Sequence, residues 1–148
     1  MVQQRMEIRE CTAADLPQLL TLDRECFARP WTESMWQGEF THIGFYGLIA
    51  EENDEPIGYV CITTLFETAD LSRIAVKKAR RGKGLGRKLL QTAIAAAKER
   101  GAEQMFLEVR VSNLTAIKLY ESTGFEKTRL RKNYYENGED GIEMKIAL

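Results

Sequence analysis

The stretch Arg80-Arg81-Gly82-Lys83-Gly84-Leu85-Gly86-Arg87 joins a short apolar run, Ile74-Ala75-Val76, to a segment with the periodicity of a helix. The first amide groups of a helix have no partner within it, and the helix dipole favours negative charge at that end. Glycines let several such amides approach one anion. The stretch therefore predicts a strand, a pyrophosphate-binding loop and a helix in succession.

The spacing of the glycines separates this loop from two common nucleotide-binding motifs. A dinucleotide fingerprint needs G-x-G-x-x-G and an acidic residue about 20 positions later, which Gly82, Gly84 and Gly86 do not match. A P-loop needs a Gly-Lys pair followed by Ser or Thr, which these glycines lack. Two interpretations remain: the pattern R-x-x-G-x-G, formed by Arg81, Gly84 and Gly86, or an ordinary glycine-rich turn with a solvated basic surface.

Composition is that of an ordinary globular protein. Of the 148 residues, 44% are hydrophobic and 29% are charged, which favours one folded domain over residues 1–148. Lys and Arg number 21 and Asp and Glu number 22, so no overall positive field attracts nucleic acid or a membrane surface. Any anion-binding surface is therefore expected to be local.

Cysteine usage and the N-terminus bear on location. Cys11, Cys26 and Cys61 have neither the spacing of a metal site nor the even number of a disulfide framework, so we expect reduced cysteines in the core and no metal. The chain shows neither an apolar leader nor a run of about 20 apolar residues. These features predict a cytoplasmic protein that does not enter a membrane.

Hydrophobic periodicity and turn residues predict the element order β-α-α-β-β-β-α-β-α-β-β, a mixed sheet flanked by helices. The predicted strands are 6–11, 44–51, 56–66, 69–76, 104–109, 125–131 and 141–147. The predicted helices are 12–30, 32–40, 85–100 and 113–124. Thr12, Thr32 and Asn113 are the expected N-caps.

Three segments carry a resemblance to a known family. The run from Leu107 to Phe125 reads L-E-V-R-V-S-N-x-x-A-I-x-L-Y-x-x-x-G-F, which resembles that of the bacterial ribosomal-protein-alanine N-acetyltransferases of the GNAT superfamily. The segment 27–32 resembles the family's F-x-x-P-W-[ST], and 131–135 resembles its R-x-N-Y-Y loop. The element order and the place of the glycine loop are also those of GNAT enzymes.

The resemblance implies a GNAT acyltransferase fold that binds acetyl-coenzyme A without a metal. The amides of residues 81–86 (Arg81, Gly82, Lys83, Gly84, Leu85 and Gly86) would bind the pyrophosphate. The strand residues Ile74, Ala75 and Val76 would run beside the pantetheine arm as one strand adds to another. Asn113 matches the family's coenzyme-contacting asparagine. In the family, a bulge in this strand splays it from the next one; nothing in the local sequence shows such a bulge.

Glu108 and Tyr120 are the candidate catalytic residues. Alternation along the strand places Glu108 on one face with Phe106 and Arg110, where it is either a solvated carboxylate or a partly buried base. Tyr120 lies about two helical turns after Asn113 and is either a core tyrosine or a proton donor. By resemblance, Glu108 removes the amine proton through water and Tyr120 protonates the leaving thiolate.

Two aromatic segments are candidates for substrate binding. Tyr134 and Tyr135 are adjacent in a loop, so at least one faces outward, where aromatic rings with polar tips suit a peptide. Pro30 and Trp31 would form the opposite wall of the site. The alternative is a loop that its aromatic residues merely anchor.

The resemblance implies acetylation of a protein α-amine, that of the N-terminal alanine of small-subunit ribosomal protein eighteen. An α-amine has a pKa of about 7.7–8.0 and keeps a useful neutral fraction near pH 7, unlike lysine at about 10.4. One alternative is a GNAT enzyme that acts on a small-molecule amine or on protein lysines. Another is a coenzyme-binding sensor without turnover, which the presence of both Glu108 and Tyr120 disfavours.

Overall fold

The computed structural model describes residues 5–148, whose order of strands and α-helices is the one predicted from the sequence. The elements are β1 (Met6–Glu10), α1 (Leu16–Cys26), α2 (Glu33–Thr41), β2 (Phe45–Glu52), β3 (Glu55–Leu65), β4 (Thr68–Val76), α3 (Leu85–Glu99), β5 (Gln104–Arg110), α4 (Leu114–Thr123), β6 (Glu126–Arg131) and β7 (Gly141–Ala147). The mixed α/β fold class is confirmed. Residues 1–4, which we expect to precede β1 without an apolar leader, lie outside the described part.

The strands form one sheet in the order β1-β2-β3-β4-β5-β7-β6. Its neighbours pair antiparallel except β4 and β5, which run parallel because α3 returns the chain across one face. Gly141 at the start of β7 pairs with Arg110 on one side and Arg131 on the other. The loop between β6 and β7 therefore lies at the carboxyl end of β5.

The first helix differs from the prediction at both ends. Thr12 caps a short 3-10 turn, Ala13–Asp15, and α1 begins only at Leu16. It ends at Cys26 rather than Pro30, because Phe27 already has extended backbone angles. Thr32 and Asn113 cap α2 and α4 as predicted, each accepting a hydrogen bond from the third residue after it. Across residues 5–148, no helix is both long and apolar enough to cross a membrane.

Helices cover both faces of the sheet, and each face has its own apolar core. Helices α3 and α4 pack on one face and α1 and α2 on the other. The core under α3 and α4 includes Val60, Leu89, Leu90, Met105, Leu107, Ile117, Tyr120 and Met144. The core under α1 and α2 includes Cys11, Leu19, Leu22, Trp36, Ile49, Tyr59, Cys61 and Ala75. All three cysteines are free, as predicted, and Cys26 is half-buried rather than in the core.

The pairing of β4 with β5 stops after three residue pairs, the last of which joins Asp70 and Phe106. Two residues further along β4, Ser72 is an extra residue in the register with β3, because Leu71 pairs with Ile62 and Arg73 with Cys61. A bulge of this kind bends its strand and increases the local twist. The bulge that the resemblance implies is thus present at Ser72, and β4 diverges from β5 beyond it. We call the space between their diverging carboxyl-terminal halves the sheet gap.

The loop between α1 and α2 is fastened to the sheet by the buried carboxylate of Asp23. This carboxylate, which is 0% exposed, accepts hydrogen bonds from the Arg73 guanidinium at 2.9 and 3.0 Å, from the Trp31 amide at 2.6 Å and from the Tyr59 hydroxyl. The Arg73 guanidinium also lies 3.8 Å from the centre of the Phe27 ring. A buried charge is tolerated when it is paired and hydrogen-bonded in this way.

Replacing Asp23 by Ala should lower the free energy of unfolding by about 3–5 kcal/mol, because it leaves the Arg73 charge without its buried partner. Glu25→Ala, at an exposed position of the same helix, should change it by less than about 0.5 kcal/mol. Urea unfolding followed by circular dichroism measures both values. Equal stability of the two variants would mean that the Asp23 network does not hold this loop in place.

Candidate active site

The loop that precedes α3 has the backbone shape of an anion site. Gly82 and Gly84 have φ angles of 79° and 83°, in the left-handed region that glycine adopts without a steric penalty. An ideal Cβ at either position would meet no atom within 4 Å, so the outer side of the loop is open to a ligand. Gly86 lies in the first turn of α3, where a Cβ would contact Leu119 and Val76 at ordinary distances.

The free amides of this loop begin one residue later than predicted. The Arg81 amide donates to the carbonyl of Lys78 at 3.2 Å. The amides from Gly82 to Arg87 have no acceptor among the described residues, and they precede the first helical bond of α3, from Lys88 to Gly84. The Arg81 side chain turns back and donates to the Val76 carbonyl at 2.8 Å, which ties the loop to the end of β4.

The end of β4 presents backbone groups to the sheet gap. The Lys77 amide bonds to Ile57 on the β3 side, at 2.8 Å, and successive amides of a strand point to opposite sides. The amides of Ile74 and Val76 therefore face the gap, where β5 has already diverged. Amides left unpaired along a strand edge can bind an extended ligand, and one lying along β4 would supply their partner. Ala75 instead packs into the core under α1 and α2.

Glu108 occupies the more open face of β5, the face of α1 and α2. Its neighbours Leu107 and Val109 point into the core, whereas Glu108 shares its partly exposed face with Phe106 and Arg110, as alternation predicts. Burial raises the pKa of Glu108 above its usual range, while its hydrogen bond with Arg131, at 2.9 Å, opposes that rise. The carboxylate is therefore only partly solvated, and it is already paired with a cation.

Tyr120 lies on the other face of the sheet. It is 6% exposed and packs with the core residues under α3 and α4, with its ring 5.9 Å from that of Phe125 in a T-shaped arrangement. Burial raises the pKa of the Tyr120 phenol, and the nearby Tyr135 raises it further. The hydroxyl therefore stays protonated at neutral pH, as a proton donor must.

Tyr135 connects the two candidate catalytic groups. Burial raises its pKa to about 12, and among the further causes is the negative charge of Glu108. Tyr135 in turn raises the pKa of Tyr120. The Tyr135 ring lies 4.1 Å from the Arg110 guanidinium and 3.2 Å from where a Cβ on Gly141 would stand, and those two residues pair at the carboxyl end of β5. Tyr135 thus lies at the carboxyl end of β5, and its interactions with Glu108 and Tyr120 are consistent with both groups being nearby.

The two loop tyrosines are held by arginines. The rings of Tyr134 and Tyr135 meet edge to face, with centres 5.0 Å apart. The Arg110 guanidinium lies 4.1 Å from the Tyr135 ring centre, and that of Arg131 lies 5.5 Å from the Tyr134 ring centre. Tyr134 is 48% exposed, so it is the tyrosine that offers an outward surface, whereas Tyr135 is half-buried.

Trp31 is supported from behind by the core under α1 and α2. Its ring centre lies 4.8 Å from that of Trp36, in a T-shaped arrangement, and 4.8 Å from the guanidinium of Arg73. Pro30 and Trp31 both keep partly exposed surfaces. The next residue toward the N-terminus, Arg29, donates to Glu136 at 2.7 Å. This ion pair joins the loop of Pro30 and Trp31 to the loop of the two tyrosines, so the two predicted walls are neighbours.

Asn113 has a structural role at the start of α4. Its side-chain oxygen accepts a hydrogen bond from the Ala116 amide at 3.2 Å, so it serves as the N-cap, and the residue is exposed. The described residues show no contact that assigns it a second role. Among residues 5–148, no group of three or more His, Cys, Asp or Glu side chains is arranged to hold a metal ion.

Sequence reasoning missed the charged residues that organise this end of the sheet. Arg110 donates to Asn137 at 3.0 Å, Glu139 at 3.1 Å and Glu136 at 3.2 Å, and so fixes the loop between β6 and β7. Arg131 contacts Glu108 directly. Both arginines fall within the quoted motif segments, which is the one sign of a role that the sequence offers. Their partners could not be predicted, because those contacts depend on how distant strands and loops pair.

Comparison with known proteins gives a consistent family. Residues 16–125 match the model of the Acetyltransferase (GNAT) family. The chain is 32% identical over 143 residues to the putative ribosomal protein bS18-alanine N-acetyltransferase of Bacillus subtilis, with 95% of each chain covered. It is 33% identical over 147 residues to the ribosomal protein bS18-alanine N-acetyltransferase of Escherichia coli strain K12, covering 95% of this chain and 97% of that one.

The fold is also that of a solved relative. The crystal structure of the ribosomal-protein-S18-alanine N-acetyltransferase from Escherichia coli superposes with a TM-score of 0.90 at 32% identity. The match covers 97% of this chain and 94% of the other. The family resemblance read from the sequence is therefore confirmed.

Gly84→Ala and Gly101→Ala provide a matched test of the anion loop. Their φ angles are 83° and 92°, and neither position has an atom within 4 Å of an added Cβ, so each should lose about 1–2 kcal/mol of stability. Only Gly84→Ala should weaken coenzyme A binding, by about tenfold or more, because it distorts the loop whose amides are expected to bind the pyrophosphate. Calorimetric titration measures the affinities, and equal affinities in the two variants would place the pyrophosphate elsewhere.

Proposed function

This chain belongs to the Acetyltransferase (GNAT) family and is an acetyltransferase, and from that premise we propose that it acetylates the α-amine of a protein N-terminus, with Glu108 as base and Tyr120 as acid. The observation that carries the proposal is the arrangement at the carboxyl end of β5. A partly buried carboxylate lies on one face of the sheet and a buried phenol on the other, with Tyr135 near both. The transfer needs a base for the amine and an acid for the leaving thiolate, and these two groups would supply them.

GNAT acetyltransferases use acetyl-coenzyme A, and the parts of this chain that would hold it are the loop before α3 and the edge of β4. The free amides from Gly82 onward would bind the pyrophosphate at the positive end of the helix dipole. The amides of Ile74 and Val76 would pair with the pantetheine arm along the sheet gap. The thioester would then lie between the divergent halves of β4 and β5.

The proposed steps follow from the two faces. Glu108, on the face of α1 and α2, accepts a proton from the substrate ammonium through water. The neutral amine then attacks the thioester carbonyl carbon, and collapse of the tetrahedral intermediate breaks the carbon–sulfur bond. Tyr120, on the face of α3 and α4, gives its proton to the departing thiolate; its raised pKa keeps that proton available at neutral pH. The nitrogen loses its second proton to solvent water as the amide forms, and Tyr120 and Glu108 regain their starting protonation states by exchange with solvent between turnovers.

The names of the relatives and the exposed aromatic surfaces support a peptide substrate. The proteins from Bacillus subtilis and Escherichia coli are named as N-acetyltransferases of the alanine of ribosomal protein bS18. We infer the same substrate for this chain, which would place its work in the cytoplasm. Tyr134, Pro30 and Trp31 would contact the residues that follow the alanine. The Arg29–Glu136 pair links these two surfaces.

A panel of acceptors separates this function from the alternatives. We expect acetylation of a peptide that begins with alanine, read by mass spectrometry as one acetyl group on the α-amine. A peptide of the same sequence with a blocked N-terminus and an internal lysine should remain unmodified at neutral pH, because the lysine is almost fully protonated there. Acetylation of only the lysine peptide or of a small polyamine would instead support the alternative substrates.

Glu108→Gln tests the base. We expect kcat/KM to fall by about 10²–10⁴-fold while acetyl-coenzyme A still binds, because the amide cannot accept the proton. The wild-type rate should rise with pH as both Glu108 and the amine lose protons, and the variant should retain only the amine's part of that rise. Glu126→Gln, at an exposed position of β6, should behave as wild type. Wild-type turnover in Glu108→Gln would contradict the assignment.

A further inference from the structure

We propose that Arg131 is a positioning residue for acetyl transfer, whose guanidinium fixes one oxygen of Glu108 and leaves the other oxygen to accept the substrate's proton. The inference rests on the proposed role of Glu108 as base. It assigns a role to a side chain that does not touch the reacting atoms.

The hydrogen bonds of Arg131 divide the two oxygens of Glu108. Arg131 Nε donates to Glu108 Oε2 at 2.9 Å, and its Nη2 donates to Glu143 Oε2 at 2.7 Å. Within residues 5–148, Glu108 Oε1 has no hydrogen-bond donor. Charge-assisted bonds from a rigid guanidinium fix the orientation of a carboxylate more tightly than one flexible contact would. Oε1 is thus the oxygen available to a water or an ammonium.

A bulge in β6 brings Arg131 to this position. Thr128 is an extra residue in the register, since Lys127 pairs with Met144 and Arg129 pairs with Glu143. A one-residue shift moves every later side chain to the opposite face of a strand. Without the bulge, Arg129 and Arg131 would face the core under α3 and α4. With it, both lie on the face of Glu108, and the Thr128 hydroxyl donates to Glu143 at 2.7 Å.

Arg131 also separates two carboxylates that face each other across neighbouring strands. Glu108 and Glu143 are direct partners in the register of β5 with β7, and like charges in that position repel. The charged and titratable groups that face Glu108 are Glu143 on β7, Arg129 and Arg131 on β6, Arg110 on its own strand and Tyr135 in the loop. Arg131 is the cation in direct contact, and it lowers a Glu108 pKa that burial raises.

Arg131→Met should therefore shift the activity profile in a defined direction. Without the guanidinium, burial and the Glu143 charge both favour the protonated form of Glu108, so the pKa of Glu108 should rise. We expect the acid limb of the kcat/KM profile to move to higher pH by about 1–3 pH units, the usual effect of losing an adjacent opposite charge. An NMR titration of the Glu108 carboxyl carbon in the free enzyme should show the same displacement.

The second carboxylate supplies a rescue test. Arg131→Met combined with Glu143→Gln removes the repelling charge as well, so the limb should return toward lower pH. Rescue in this direction is not expected if Arg131 only stabilises the fold. Arg129→Gln is the matched control on the same strand, because that side chain is 59% exposed and lies 3.8 Å from Glu143 without a hydrogen bond to Glu108. Its profile should move much less than that of Arg131→Met, because Arg129 lowers the pKa of Glu108 only through space and is the last of the causes.

The outcomes separate this inference from the proposed function. If Glu108→Gln loses activity but Arg131→Met keeps both the wild-type profile and the wild-type carboxyl titration, Arg131 has no positioning role. If Arg131→Met does not fold, as judged by its melting temperature, Arg131→Lys replaces it. Lysine supplies the positive charge without the planar set of donors of a guanidinium. We therefore expect kcat to fall by about tenfold or more, while the acid limb of the kcat/KM profile stays near that of the wild type. Unchanged kcat in that variant would overturn the inference.

Discussion

The loss of backbone pairing between β4 and β5 after Asp70 is the constraint on which this structure depends. In a regular sheet the two strands would satisfy each other along their full length. Here the bulge at Ser72 turns β4 away, and its amides at Ile74 and Val76 face a gap instead of a strand. Unpaired strand edges bind extended ligands, so under the proposed function the distortion that weakens the sheet would also prepare it for the coenzyme arm.

The gap explains how the candidate base and acid could act on one carbon atom although they lie on different faces of the sheet. Alternation along β5 sends Glu108 toward α1 and α2, whereas Tyr120 projects from α4 into the opposite core. In a continuous sheet these groups would be separated by backbone, but beside diverging strands both can approach one carbonyl carbon. Ion pairs connect the two loops beside the gap. Asp23 holds the loop between α1 and α2 to β4 through Arg73, and Glu136 in the loop between β6 and β7 pairs with Arg29 of the first loop.

The sequence predicted the parts of this arrangement that depend on local physics. Glycine geometry before α3, and the caps at Thr32 and Asn113, follow from backbone conformations that only a few residue types favour. The bulges at Ser72 and Thr128 could not be read from the local sequence, because serine and threonine occur in ordinary strands and a bulge is set by pairing with distant residues. The family resemblance implied the first bulge and gave no sign of the second. The contact of Arg131 with Glu108 depends on the second bulge. Helix α1 ends early, at Cys26, for a related reason: Asp23 of this helix bonds to Arg73 of β4 and to the Trp31 amide, and these contacts with distant residues hold the following loop.

Amide hydrogen exchange along β4 can show whether the gap-facing edge of this strand receives the coenzyme. Residue-resolved NMR can compare Ile74 and Val76, which face the gap, with Ala69, which lies where β4 still pairs with β5. Saturating coenzyme A should slow exchange at Ile74 and Val76 by about tenfold or more, because the ligand becomes their hydrogen-bond partner, while Ala69 changes little. Unchanged exchange at Ile74 and Val76 in the saturated complex would contradict the claim that the diverging edge of β4 receives the coenzyme.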